Sequence, residues 1–152
     1  MESKNLWVKV VVAAYRGVPT LVEALERFVD KAASNSYKND CMSLFDVLSE
    51  KTARKSKLIN LKCIADDAVA ALKGDAQTIV KSRFDGVPFE EIAAGLGLNL
   101  RAVFRQYGGA LDAMAYHMRI KGFDEEWFWE YFKDDAYISS LSEKIYNRAV
   151  SV

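Results

Sequence analysis

The chain is 152 residues long, enough to bury a substantial core in one domain or in two small helical lobes. Its residues are 51% hydrophobic and 28% charged, with two prolines and eight glycines, which excludes extensive disorder or low-complexity sequence. Lys plus Arg and Asp plus Glu balance at 21 each, so the basic excess of a strongly nucleic-acid-binding domain is missing.

The balance hides an uneven distribution. Residues 1–74 hold 12 basic and 9 acidic side chains, residues 75–121 hold 6 and 5, and residues 122–152 hold 3 and 7. No run approaches the ~18 apolar residues of a membrane span, and Trp7 to Tyr15 is short and interrupted by Lys9. Neither a span nor a signal peptide is expected, and the cytoplasm is the expected location. Cys41 and Cys63 have no companions at metal-ligand spacing, which predicts buried, reduced thiols and neither a disulfide framework nor a metal site.

Asn5 to Tyr15, apolar on nearly every turn, reads as a first helix stopped by Gly17 and Pro19. Thr20 and Glu23 have the spacing of a capping box, and Leu21, Leu25, Phe28 and Val29 form one face of a second helix to about Ala33. Ser34 to Asn39 is a polar loop, and Cys41, Met42, Phe45 and Leu48 make a third helix. Lys51 to Lys57, basic and polar, is the best linker candidate and sets a boundary between an N-terminal region, 1–57, and a domain spanning 58–121. Leu58, Leu61, Ile64, Ala65, Ala68, Ala71 and Leu72 follow helical spacing up to Gly74, and Asp75 can cap a helix through Ile79, Val80, Arg83 and Phe84 that Gly86 ends.

Phe89 to Leu111 then has the spacing of a helix-turn-helix. Ile92 and Leu96 lie four apart on its first helix, Ala93 is small enough to admit a crossing helix, Gly97 suits a left-handed turn, and Leu98 and Val103 anchor the second helix. Pro88 suits the first helical turn, and Glu90 and Glu91 sit where the positive helix end favours acid. The second helix begins near Asn99 and continues toward Ile120, with Gly108 and Gly109 marking a place for a bend or an interruption. After Gly122, Asp124 caps a short aromatic helix to Phe132, and Ala136 to Arg148 is a last amphipathic helix in a C-terminal extension, 122–152. No strand pattern and no internal repeat appears, so the fold class is all-α, with N-terminal helices, a helix-turn-helix and C-terminal aromatic helices.

From Ala71 to Leu111 the order of features is Ala-Leu, a helix ending at Arg83-Phe84, Asp85-Gly86, Glu90-Glu91-Ile92-Ala93, Leu96-Gly97-Leu98, Arg101-Ala102-Val103-Phe104-Arg105 and Ala110-Leu111. This order resembles region four of bacterial RNA polymerase sigma factors, over roughly a quarter of the chain. With the aromatic segment Gly122 to Phe128 following, the layout is also similar to small sigma-like proteins of Gram-positive anaerobes. The resemblance implies a four-helix domain whose second motif helix reads promoter DNA while a neighbouring surface docks on RNA polymerase. By position, Asn99, Arg101 and Arg105 would then face DNA, with Gln106 near the edge; Arg suits guanine or phosphate, and Asn or Gln suits adenine. The same residues also fit the solvated outer face of an amphipathic helix.

This chain departs from that family at three places: Leu100 and Phe104 stand where DNA readers are often polar, Gly108-Gly109 replaces a basic helical continuation, and Lys73 replaces the Pro usual after Ala-Leu. Residues 1–74 lack the aromatic and basic motif with which a complete sigma factor melts DNA; Trp7, Tyr15 and Phe28 read as core instead. The alternative function is a helical protein-interaction module that binds polymerase, a sigma factor or a second copy through Leu100, Phe104, Trp127, Trp129 and Tyr131. The aromatic residues from Phe123 to Tyr137 equally suit internal packing. Lys51, Arg54, Lys55, Lys57 and Lys62 are the densest basic cluster and fit a solvated linker better than a phosphate contact. His117 is the sole histidine, with no acid, base or metal constellation around it in sequence, so neither catalysis nor a cofactor is expected.

Overall fold

The computed structural model describes residues 5–34 and 41–150. Every regular element among them is a helix: α1 Leu6–Tyr15, α2 Val18–Ser34, α3 Cys41–Ala70, α4 Gly74–Phe84, α5 Phe89–Leu96, α6 Leu100–Ile120, α7 Glu125–Tyr131 and α8 Ala136–Val150. The all-α class follows directly.

α1 is the hub. Trp7, Val8, Val10, Val11, Val12 and Ala14 are all buried, as a helix apolar on every side requires. It touches α3, α4, α6 and α8, and Trp7 meets the ring of Phe128 on α7 at 5.7 Å. Buried residues from all three stretches of the sequence, among them Val11, Leu58, Leu111 and Phe128, form one main core. Each such side chain contributes about 1.5–3 kcal/mol by leaving water. A close approach fixes the far end of α1: a Cβ on Gly17 would fall 2.3 Å from the Tyr137 hydroxyl oxygen, and that hydroxyl donates to the Ala14 carbonyl at 3.1 Å.

Several expectations change. α2 starts at Val18, so Thr20 lies inside the helix and is not its cap. Of the expected Ser34 to Asn39 loop, all but Ser34 lies outside the described residues. The largest correction concerns Lys51 to Lys57, which is the interior of the 30-residue α3, and the boundary at residue 57 falls inside that helix. Its cations are committed within the protein: Arg54 pairs with Asp135 at 2.9 Å, Lys55 with Glu26 at 3.0 Å, and Lys62 with Asp66 at 3.2 Å. Lys57 donates to the Tyr131 carbonyl at 3.0 Å, and Lys51 lies over the Phe28 ring. Cys63 is exposed, contrary to the expected burial, as is Phe28 at 45%. α6 runs unbroken through Gly108 and Gly109, both helical and open to solvent.

The Asp124 cap of α7 agrees with the sequence, whereas Asp75 lies within the first turn of α4 and is not its cap, and the Asp135 cap was not foreseen. Asp124 accepts from the Trp127 amide at 2.8 Å, and Asp135 plays the same part for Ile138 at 3.1 Å.

Candidate nucleic-acid interface

The helix-turn-helix comprises α5 and the start of α6, supported by α4. Ile79 of α4, Ile92 and Ala93 of α5 and Val103 of α6 form a small buried cluster separate from the main core, flanked by half-buried Leu96 and Leu98. α4 joins the two bodies because the residue after Ile79, Val80, points into the main core together with Phe84. Tyr107 packs against both clusters. Gly97 takes the left-handed conformation the spacing demanded, at φ 69°, and its amide and that of Leu98 return to the last turn of α5. The angle between α5 and α6 is therefore set by packing, independently of any ligand.

Asn99 has a structural task. It is the N-cap of α6, and its Oδ1 accepts from the Ala102 amide at 2.8 Å. That bond occupies the oxygen and leaves the amide NH2 available in an exposed residue. Arg101 and Arg105 follow one turn apart, both exposed and without an ion pair or hydrogen bond among the described residues. Their guanidinium groups offer fixed forks of donors that match phosphate or the edge of guanine. Gln106 is half-buried and, about 100° round the helix from Arg105, belongs to another side. The structure thus brings Asn99, Arg101 and Arg105 to one end of one helix and sets Gln106 apart.

The two residues that break the polar pattern part company. Leu100 is half-buried, whereas Phe104 keeps 49% of its surface exposed and rests edge-on against Phe89 at 5.0 Å. Phe89 in turn meets Tyr107 at 5.1 Å and carries the Arg83 guanidinium 4.3 Å above its ring. Arg83 also donates to the Val87 carbonyl at 2.9 Å, while its Nε is buried without a partner. Burial pushes the Tyr107 hydroxyl up to about 12, against the pull of the neighbouring Arg83 charge. This cluster of Arg83, Phe89, Phe104 and Tyr107 was not legible in the sequence, because its members come from three helices and share no period.

The other candidates are placed as follows. Trp127, Trp129 and Tyr131 are half-buried with their rings engaged: Trp127 stacks on Tyr131 at 4.9 Å, Trp129 meets Phe128 and Tyr146, and the Tyr131 hydroxyl accepts from Asn60 at 2.9 Å. Packing accounts for most of that aromatic density. His117, expected to lack a partner, meets Asp67 of α3 at 3.0 Å, beside Lys121 at 2.7 Å. Lys121 first and His117 second hold the Asp67 carboxyl below its usual range. No group of three or more His, Cys, Asp or Glu able to hold a metal ion occurs among the described residues. No helix among them is long and apolar enough to cross a membrane. Comparison of the chain with protein-family models, curated proteins and solved structures returned no match.

Proposed function

We propose that α5 and α6 form a DNA-binding helix-turn-helix, like region four of sigma factors, in a transcription protein that reads duplex DNA with the first turns of α6. The observation that carries this reading is the pair Arg101 and Arg105, exposed and uncommitted at the outward end of a helix whose pose is fixed by Ile79, Ile92, Ala93 and Val103. In this protein that is notable because the basic cluster from Arg54 to Lys62 is spent on internal contacts. Asn99 supports the pose from the cap and lends its NH2 to the surface. The acidic C-terminal stretch, with Glu126 and Glu130 exposed on α7, would face away from the duplex.

The test is a titration of mixed-sequence duplex DNA at several salt concentrations, followed by selection of preferred sites. The wild type is expected to bind with a salt slope that falls by about two when both arginines are replaced, one cationic contact each. Absence of wild-type binding at low salt would reject the reading. One observation favours the alternative of a protein-binding module that contacts polymerase or a sigma factor: Phe104 presents apolar surface beside the same two turns of α6. Under that alternative, Phe104→Ser abolishes partner capture while Arg101→Ala and Arg105→Ala leave it intact.

A further inference from the structure

The hairpin of α2 and α3 has a second surface without a role so far. On α3, Val47, Lys51, Arg54, Leu58, Leu61, Ala65 and Ala68 follow the alternating four- and three-residue spacing of one helix face. Leu58, Leu61, Ala65 and Ala68 are fully buried in the main core, and Arg54 ends that section with its bond to Asp135. Beyond Arg54 the same stripe is open: Val47 is 38% exposed, and Lys51 reaches over the ring of Phe28, itself 45% exposed on α2. One face is therefore interior at one end and solvent-facing at the other. α2 packs along α3, and two helices make one layer where a core needs two.

The charges around the open end decide what can cover it. On α2 and residues 41–55, Glu23 pairs with Arg27, Glu26 with Lys55 and Arg54 with Asp135, which leaves Asp30, Asp46 and Glu50 against Lys31 and Lys51. Asp46 and Glu50 have no cationic partner among the described residues, and Lys51 meets only an aromatic ring. A nucleic acid would be repelled by the carboxylates, and a strongly charged protein would find half of the surface hostile. A two-fold contact brings a surface against itself and so calls for both signs around an apolar centre, which is what this face offers. We propose that the face centred on Phe28 and Val47 pairs with the same face of a second copy, the two hairpins completing a four-helix bundle and making the protein a two-fold dimer. Lys51 of each copy then finds the free carboxylates of the other. The proposal stands independently of DNA binding.

Sedimentation of the full chain from about 1 to 100 µM tests it, since a self-association is governed by mass action. The mass is expected to rise from that of one chain, 17.1 kDa, toward twice that value. The double variant Phe28→Glu/Val47→Glu is expected to stay at one chain throughout, with its helical circular dichroism unchanged because both sites are exposed. Phe45→Ser is the control: Phe45 is 66% exposed but lies two residues from Val47, about 200° round the helix, so the dimer should survive. Hydrogen exchange on the wild type supplies a readout that does not depend on any variant folding. Protection gained at the higher concentration should centre on residues 25–32 and 44–51. A wild type that remains at one chain overturns the proposal, as does a dimer that persists in the double variant, is lost in Phe45→Ser, or gains its protection elsewhere.

Discussion

At the scale of single residues, one kind of side chain serves two kinds of purpose, and spacing alone separates them only when the partner is local. Ile92, Ala93, Gly97 and Val103 were legible because a helix-turn-helix imposes its small, apolar and left-handed positions within a dozen residues. Asn99 was legible as a polar residue at the start of α6 but not as its cap, since the oxygen that would read adenine equally accepts from the Ala102 amide. His117 with Asp67 and Arg54 with Asp135 are pairs 50 and 81 positions apart, and no local rule predicts them. Tyr107 shows what such tertiary placement does to chemistry. Its folded-state pKa lies near 12, raised by burial from the usual value of 10. Between those values the unfolded chain has lost the phenolic proton and the folded one keeps it, so this residue's stabilising effect is complete below pH 10 and disappears as pH rises through 12. Tyr107→Phe should flatten the alkaline limb of the stability curve by on the order of 2 kcal/mol relative to wild type, measured by urea unfolding from pH 9 to 12. An unchanged limb would mean the ring is not held dry between the two clusters.

At the scale of elements, composition misled where it stood in for periodicity. Lys51 to Lys57 is polar because its cations reach outward to α2, α7 and the turn before α8, not because it is a connection. The signal that it continues a helix was the absence of any Gly or Pro between Thr20 and Lys73. In α6 the expected run toward Ile120 holds, and the two glycines, which allowed for an interruption, do not end it. Packing of Ala110, Leu111, Met114 and Met118 on the core holds the helix across them, since tertiary contacts outweigh the roughly 1 kcal/mol cost of each glycine. The continuity of α3 is directly testable with Ser56→Pro. Ser56 is exposed, so the substitution removes no packing, but within a helix the ring displaces the preceding turn and deletes a backbone hydrogen bond. The expected loss is about 3 kcal/mol in urea unfolding, whereas a linker would tolerate the change with almost none.

At the scale of the whole molecule, the helix-turn-helix is separable in sequence but not in structure. Its own cluster of Ile79, Ile92, Ala93 and Val103 is too small to offset the conformational entropy of some sixty residues, each costing roughly 1–2 kcal/mol in backbone freedom alone. What stabilises it is the opposite face of the same helices: Val80 and Phe84 of α4 and Leu111, Met114 and Met118 of α6 are buried in a core that α1, α7 and α8 complete. Residues 1–57 and 122–152 therefore do more than flank the motif, because α1 supplies the floor on which α4 and α6 rest. A fragment of residues 58–121, cut at the boundaries that the sequence suggested, would expose that floor-facing surface to water. Its amide proton–nitrogen spectrum should be poorly dispersed, and it should bind a dye for exposed apolar surface, while the full chain gives sharp, dispersed signals and binds none. A fragment with a dispersed spectrum and cooperative unfolding would show instead that the α4–α6 cluster folds without α1, and that the arginines of α6 are presented by a self-sufficient module.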